Sequence, residues 1–152
     1  MTAQNTDPVP PEFSAVAPEE SLLRRVPPHW YPDPEMPQKP QWLAFKPTPA
    51  DVDGLSVGRR RLVVSIEDYS FTPDHTKRRS VVQVRASHVY ALRMTVKPKP
   101  LPKDAAHAII PEMNVGDYKA DGAKKRAIKE WALRLAHQHA EMVYVFPTTQ
   151  AG

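Results

Sequence analysis

The sequence predicts an α+β fold, with a small mixed or antiparallel sheet, one long carboxy-terminal helix packed on one face, and a proline-rich extended amino-terminal arm. Three observations lead to this fold class. Short apolar and β-branched runs, bounded by prolines and polar turns, recur after residue 50 and are typical of strands. Residues 123–141 carry apolar side chains at spacings of three and four, as an amphipathic helix requires. Twelve of the eighteen prolines lie within the first 49 residues, where they disfavour helices and central strands.

The first 49 residues divide into a tail and an arm. Residues 1–20 contain four carboxylates and no lysine or arginine, which predicts a disordered acidic tail. Residues 21–49 predict a proline-rich arm docked on the body, because proline fixes φ and removes a backbone donor. We expect a short strand or a single turn at residues 20–26, and no central strand anywhere in the arm. The arm's aromatic side chains should anchor it on the body, and these are Trp30, Trp42 and Phe45.

Residues 50–152 predict a single α+β domain whose first half consists mainly of short strands. The elements expected there are a turn into a short strand at 51–57, a helix at 66–69, a strand at 80–86, a helical turn at 87–92 and a strand at 93–97. Gly54 allows the turn that precedes the first of these strands. Ser65 is expected to cap the short helix, because carboxylates follow it in the first turn.

The second half of the domain supplies the long helix. The elements expected there are a strand at 106–110, a loop at 116–122, the helix at 123–141 and a returning strand at 142–146. The apolar stripe of the helix consists of Ala127, Ile128, Trp131, Leu135 and Ala136. Because the last strand follows the helix with almost no linker, we expect it to pair within the same sheet.

Composition excludes several classes of protein. The 152 residues suffice for one domain with a single core, and they contain no cysteine, which excludes disulfides and thiolate metal sites. The amino terminus has neither a basic region nor an apolar run, and no stretch is apolar enough to span a membrane. We therefore expect a soluble, cytoplasmic protein with no membrane partner. Glycine-rich nucleotide loops and metal-binding histidine spacings are missing, so we expect no cofactor and no metal.

Charge is distributed unevenly along the chain. The formal charge is +4 overall, but the acidic tail contributes −4, so the other 21 basic and 13 acidic side chains give the remainder +8. Either the tail shields a basic surface until a polyanion or acidic partner displaces it, or it only increases solubility. Basic residues form runs at 59–61, 77–79 and 124–126. If the protein binds nucleic acid, the first two runs are the expected phosphate contacts, namely Arg59, Arg60, Arg61, Lys77, Arg78 and Arg79. A solvated basic face is the other interpretation.

A second group of residues suggests a pocket. His107 lies between two alanines in an apolar strand, although a buried histidine bonded to a backbone carbonyl is the simpler interpretation. Arg24 and Arg25 point to opposite faces of an extended chain, so one is expected to enter the body while the other stays in water. Ser56, Asp53 and His107 have the residue types of a nucleophilic triad, but no GxSxG turn surrounds the serine. The sequence therefore assigns no catalytic residue.

The chain resembles a family of uncharacterised small bacterial proteins. In that family a YRRI strand is followed by AFRPT, an acidic residue and LSV, and later by a proline-rich connector and an HAxI strand. The matching blocks are LRRV at 23–26, AFKPT at 44–48, Asp51 or Asp53, LSV at 55–57, VKPKP at 96–100 and HAII at 107–110. The chain departs from the pattern at residues 72–79 and at Trp42. The resemblance implies that six residues form one cluster, namely Arg24, Arg25, Phe45, Asp53, Ser56 and His107.

Three functions remain open from the sequence. The leading hypothesis is a non-enzymatic accessory or protein-interaction module of a bacterial multi-gene system, with antiphage defence as one setting. Its arm and basic body would dock a protein partner. The first alternative is nucleic-acid binding through the basic runs. The second alternative is a small enzyme, such as an NAD-using transferase, with a pocket formed by Arg24, Ser56 and His107. The oligomeric state is left open.

Overall fold

A six-stranded antiparallel sheet forms the centre of the protein. The computed structural model describes residues 9–71, 77–120 and 122–145. The strands are β1 (Ser21–Val26), β2 (Leu55–Arg59), β3 (Ser80–Arg85), β4 (Lys97–Pro98), β5 (His107–Ile110) and β6 (Glu141–Tyr144). Their order across the sheet is β4-β5-β2-β1-β3-β6, and every neighbouring pair is antiparallel. The returning strand β6 pairs with β3, which confirms that it joins the same sheet.

The described part of the chain also contains four α-helices. They are α1 (Ile66–Tyr69), α2 (Ala86–Ala91), α3 (Val115–Lys119) and α4 (Ala123–Arg134), and α4 continues into a π-helical turn over Leu135–His139. The α+β class predicted from the sequence is confirmed. The hydroxyl of Ser65 accepts a hydrogen bond from Asp68 N at 3.0 Å, so the predicted cap of α1 is present. No helix within these residues has the length and apolar character that a bilayer span needs.

The long helix and its π-helical turn cover one face of the sheet, which we call the core face. The predicted apolar stripe of the helix is directed into the core, where Ile128, Leu135 and Ala136 are at most 1 % exposed. Trp131 lies at the margin of this core and is half-buried. The sheet contributes alternate side chains to the same core, including Leu22, Val26, Leu55, Val57, Val82, Val84, Ala108 and Ile110. The opposite face is called the open face.

Strand β1 lies in the middle of the sheet, between β2 and β3. The expectation that the first 49 residues supply no central strand is therefore wrong. The reason is the position of the prolines, because Pro18 precedes the strand and Pro27 follows it. All six residues of β1 keep a backbone N–H group, so the strand can form hydrogen bonds along both edges.

The chain between β1 and β2 packs against the core without joining the sheet. We call residues 27–54 the proline-rich connection; its 3₁₀ turns are Pro28–Trp30 and Trp42–Phe45. Phe45 is fully buried, and Trp30 and Trp42 pack against the core with part of each side chain exposed. The aromatic anchors predicted for this segment are therefore confirmed.

Two segments differ from the sequence-based expectation. In place of a strand at 93–97, the chain turns at Arg93, whose φ is 65°, and only Lys97–Pro98 pairs with β5. In place of a loop at 116–122, helix α3 forms, because the Asn114 side chain accepts a hydrogen bond from a backbone N–H of its first turn. In both places the end of a helix determines the chain conformation. Helix ends cannot be predicted from the periodicity of apolar residues, which explains both differences.

Residues 11–20 pack against the sheet, and we call them the amino-terminal strap. The strap encloses the guanidinium group of Arg59, which is 0 % exposed. Arg59 Nη1 donates to Ser14 O at 2.7 Å, and Arg59 Nη2 forms a 2.8 Å ion pair with Glu20. The disordered tail expected for residues 1–20 is therefore wrong for the strap, because a buried cation holds it in place. Residues 1–8 lie outside the described part of the chain.

The charge of Glu20 balances that of Arg59. Burial tends to raise the pKa of the Glu20 carboxyl group, but hydrogen bonds from Arg59 and from Ala17 N, together with the Arg59 charge, hold the pKa below its usual value. Arg61 Nε adds a second ion pair at 3.1 Å. The stability from this ionised carboxylate is present above the ordinary pKa of glutamate. It is lost as the pH falls through the lower pKa of the folded state.

We predict that Glu20→Ala lowers the free energy of unfolding by about 3–5 kcal/mol, because the buried Arg59 charge loses its partner. As a control, Glu19→Ala removes the same charge from an exposed neighbouring position and should change stability by less than about 0.5 kcal/mol. Urea unfolding at neutral pH measures both effects. Acidification should then destabilise the wild type more than Glu20→Ala. If Glu20→Ala and Glu19→Ala lose the same free energy of unfolding at neutral pH, the strap does not depend on this ion pair.

Candidate functional site

The consecutive residues Arg24 and Arg25 send their side chains to opposite faces of β1. Arg24 is paired across the sheet with Val82, which lies in the main core, whereas Arg25 is paired with Val81 on the open face. Each arginine donates hydrogen bonds to backbone carbonyl groups. The structure confirms that one of them, Arg24, enters the body, whereas Arg25 is half-buried and lines clefts that open to the surface.

Arg24 is buried and has a structural role. Its Nε donates to Ala44 O at 2.6 Å, its Nη1 donates to Ser56 O at 2.8 Å, and its Nη2 lies 3.7 Å from Asp51 Oδ2. Burial lowers the pKa of the Arg24 guanidinium, and the negative charge of Asp51 opposes that shift. The guanidinium group thus joins the proline-rich connection to β2 and is not available to a ligand.

Asp51 is the carboxylate that holds this region together, whereas the sequence pointed to Asp53. Asp51 Oδ1 accepts a hydrogen bond from Ser56 N at 3.0 Å, and Oδ2 accepts one from Thr48 N at 2.7 Å. Asp53 lies at the surface in an ion pair with Lys99, whose hydrogen bond and charge lower the pKa of Asp53. The sequence feature that could have identified Asp51 is its three-residue spacing from Thr48, at which an aspartate side chain can accept a hydrogen bond from its own backbone turn.

Arg25 is fixed on the open face by Tyr69 and Phe71. Arg25 Nε donates to Tyr69 O at 2.6 Å and to Phe71 O at 2.8 Å, and its guanidinium carbon lies 3.9 Å from the centre of the Tyr69 ring. The Tyr69 hydroxyl donates to Leu23 O at 3.1 Å, and burial raises the pKa of that hydroxyl. The two terminal nitrogens of Arg25 have no hydrogen-bond partner among the described residues. They remain available for a ligand.

Ser56 and His107 form a hydrogen-bonded pair on the same face. His107 Nδ1 lies 2.8 Å from Lys99 O, and because a carbonyl oxygen only accepts, Nδ1 carries the proton of the neutral ring. His107 Nε2 is then an acceptor, and Ser56 Oγ donates to it at 3.2 Å. The ring is therefore held in the tautomer in which a histidine can take a proton from a serine hydroxyl.

The open face carries two adjoining clefts that share Arg25 and Asp104, and we call them together the open-face groove. Their volumes are about 200 Å³ and about 420 Å³. The smaller cleft is bounded by α1 and the larger one by the Ser56–His107 pair. Of the six residues expected to cluster, four line the larger cleft, namely Arg25, Asp53, Ser56 and His107. The other two, Arg24 and Phe45, lie on the core face.

The basic runs at 59–61 and 77–79 do not form one phosphate-binding surface. Arg59 is enclosed by the strap, so the expectation that it contacts phosphate is wrong. Arg61 is paired with the strap, and Arg78 forms a 2.7 Å ion pair with Glu67. Arg60 and Lys77 are exposed and Arg79 is half-buried. In the first of the two runs, Arg59 and Arg61 thus share one carboxylate, Glu20, which comes from another part of the chain.

No family model, curated protein or solved structure significantly matches this chain. Within the described residues, no three histidine or acidic side chains lie close enough together to hold a metal ion. The open-face groove is therefore interpreted from its own chemistry, namely a fixed arginine and a serine that is hydrogen-bonded to a histidine.

Gly58 determines how closely α1 approaches the sheet. A Cβ atom at this position would lie 2.3 Å from Tyr69 Cε1, so the tyrosine ring rests directly on the glycine. The ring in turn supports the Arg25 guanidinium, which means that the floor of the smaller cleft depends on the absence of a side chain at position 58.

We predict that Gly58→Ala destabilises the protein by about 1–3 kcal/mol, because the new methyl group displaces the Tyr69 ring. Gly116→Ala is the matched control, since it lies in α3 with its nearest neighbouring atom at 3.5 Å. It should stabilise the protein slightly, because alanine favours helix over glycine. Thermal unfolding compares the two variants. If Gly58→Ala melts like the wild type, the ring does not rest on this glycine.

Proposed function

We propose that the protein is a non-enzymatic accessory module that binds an extended segment of a partner protein in the open-face groove. The observation that carries this proposal is the Arg25 guanidinium group, fixed at the junction of the two clefts, whose terminal nitrogens have no partner in the part of the chain that the structure describes. Such a group offers a planar set of donors to a carboxylate or to backbone carbonyl oxygens of a bound segment.

The rim of the groove is apolar. Seven large hydrophobic side chains are exposed among the described residues, and three of them line the groove: Val64 (92 %), Val52 (67 %) and Leu101 (42 %). An exposed apolar rim around a fixed charged group is typical of protein-binding surfaces, in which apolar contacts exclude water from a central polar anchor.

The anchor is rigid before a partner arrives. Hydrogen bonds from Nε and the stacked Tyr69 ring already restrict the Arg25 side chain. Binding therefore costs little additional side-chain entropy, whereas a flexible surface arginine would lose about 0.5–1.5 kcal/mol on immobilisation.

The two clefts suit an extended segment better than a compact ligand. They adjoin at Arg25 and Asp104, and each opens to the surface. Alternate side chains of an extended segment lie on the same side, about 7 Å apart, so consecutive inward side chains can occupy the two clefts. Asp104 adds a negative charge at the junction, and Lys103 adds a positive charge to the smaller cleft. The preferred partner therefore carries both polar and apolar groups.

We predict that a random peptide library, screened against the purified full chain, enriches sequences that place a carboxylate between apolar residues. Binding of an enriched peptide should weaken at least about tenfold in Val64→Glu and in Leu101→Glu, because each variant puts a charge into the apolar rim. Isothermal titration calorimetry measures both affinities.

The matched control is Val9→Glu. Val9 is also an exposed valine, at 63 %, but it does not line the groove. Peptide affinity should be unchanged in this variant. The proposal is wrong if no sequence is enriched, or if the control loses as much affinity as Val64→Glu and Leu101→Glu do.

A small enzyme is the second candidate, favoured by the Ser56–His107 pair. In such an enzyme Ser56 Oγ would bond to an acyl carbon while its proton moves to His107 Nε2. The bond between the acyl carbon and the leaving group would then break, and the leaving group would take that proton from His107. Acyl transfer also needs donors for the developing oxyanion. The backbone N–H of Ser56 already donates to Asp51, so it cannot serve as one of them. We therefore rank this function below protein binding.

We predict that a fluorophosphonate probe, which labels activated serines, does not modify the wild-type protein at Ser56. Intact-mass spectrometry of wild type and Ser56→Ala under the same conditions provides the comparison. Labelling that disappears in both Ser56→Ala and His107→Gln would establish a nucleophilic serine and replace the non-enzymatic proposal.

A further inference from the structure

A second surface, built from α3, α4 and the 3₁₀ turn at Trp42–Phe45, combines basic and aromatic side chains. We call it the α4 face. Lys46 Nζ and Lys125 Nζ lie 5.6 Å and 5.5 Å from the centre of the Tyr118 ring. Lys129 Nζ lies 5.3 Å from the centre of the Trp42 ring. Three ammonium groups are therefore gathered around two aromatic rings.

The lysines of the α4 face have no carboxylate partner in the part of the chain that the structure describes. Lys46, Lys125 and Lys129 form no ion pair among the described residues. The carboxylates nearby are engaged elsewhere, because Asp117 pairs with Lys124 at 3.6 Å and Glu130 with Arg134 at 3.0 Å. The basic run at 59–61 differs from this face, since Glu20 of the strap pairs with both Arg59 and Arg61.

The aromatic rings are partly exposed. Tyr118 and Trp42 are both half-buried, so each ring packs on the protein with one part and meets water with another. Ring faces are where unpaired bases stack, and lysines beside them neutralise phosphates. In duplex nucleic acid the bases are stacked inside the helix, so a duplex can contact only the lysines of this face and not its rings.

We propose that the α4 face binds single-stranded nucleic acid. Lys46, Lys125 and Lys129 contact phosphates, and Trp42 and Tyr118 provide stacking surfaces. Lys125 and Lys129 are one helical turn apart and therefore lie on the same side of α4, about 6 Å from each other along its axis. This site lies on other elements than the open-face groove, so it is independent of the proposed protein-binding function.

A membrane surface fits the α4 face less well. An interfacial helix inserts exposed apolar side chains between lipids. The apolar side of α4 is buried instead, with Ile128 and Ala132 at most 1 % exposed, and none of the large exposed hydrophobic side chains in the described residues lies on this face. Attraction to anionic lipid headgroups by charge alone is the remaining competitor, and it can be tested directly.

The test uses a fluorescein-labelled oligothymidylate of about 15 nucleotides, which lies within the range of roughly 4–16 nucleotides that a single-strand binding fold covers. Fluorescence anisotropy measures its affinity for the full chain at several salt concentrations. Three phosphate contacts on a single strand predict a slope of about −2 in a plot of log K against log salt, since each contributes about 0.7. Binding should therefore weaken about tenfold when salt is raised threefold.

Two double variants test whether the lysines of the α4 face contact the oligonucleotide. Lys125→Ala with Lys129→Ala should weaken binding at low salt at least about tenfold and reduce the salt slope by about 1.4. Arg60→Ala with Lys77→Ala removes the same charge from the basic runs at 59–61 and 77–79. This double variant should leave both the affinity and the salt slope unchanged. Circular dichroism verifies that both variants keep the fold.

Vesicles containing phosphatidylserine provide the membrane comparison. The proposal is supported if the protein binds the oligonucleotide without comparable binding to vesicles, and if oligonucleotide binding is lost only in the double variant of Lys125 and Lys129. It is overturned if the oligonucleotide does not bind at low salt, if both double variants lose affinity equally, or if vesicles bind as strongly as the oligonucleotide. Val64→Glu should bind the oligonucleotide like the wild type, so failure of the groove proposal would not affect this result.

Discussion

A shortage of backbone donors constrains this structure more than any other property of the chain. Eleven prolines lie between residues 9 and 54, and each contributes a carbonyl acceptor without an N–H donor. Arginine is the opposite case, with five donors and no acceptor. Arg24 donates to carbonyl groups of the proline-rich connection, and Arg59 donates to those of the strap. No buried side-chain nitrogen or oxygen in the described residues lacks a partner, so every buried nitrogen of the two arginines forms a hydrogen bond.

This constraint explains which parts of the fold could be predicted from the sequence. The long helix, the Ser65 cap and the strands around residues 82 and 108 were predictable, because each is specified by neighbours within a few positions. The central place of β1 and the burial of Arg59 were not predictable, because their partners lie far away in the chain. Proline content was the misleading signal, since it describes the segments beside β1 and not the strand itself.

The candidate site was predictable to a similar extent. Resemblance brought Arg25, Ser56 and His107 together, and the structure places all three in the larger cleft. The grouping of Arg24 with Arg25 was an error, because Arg24 faces the other side of the sheet. Asp53 lines the cleft as expected, but the sequence did not show that Asp51 holds Arg24. Alternation along a strand tells that two side chains diverge, but the side that is covered depends on helices far away in the sequence.

The two consecutive arginines also matter before the sheet exists. During synthesis β1 leaves the ribosome ahead of both its partners, because β2 and β3 lie between residues 55 and 85. In that interval Leu22, Leu23 and Val26, which are later at most 1 % exposed, have no sheet to enter. A bare apolar strand is prone to pair with other chains, and charged residues within it act as gatekeepers. Arg24 and Arg25 therefore keep the nascent strand soluble until the carbonyl groups they will bind have been made.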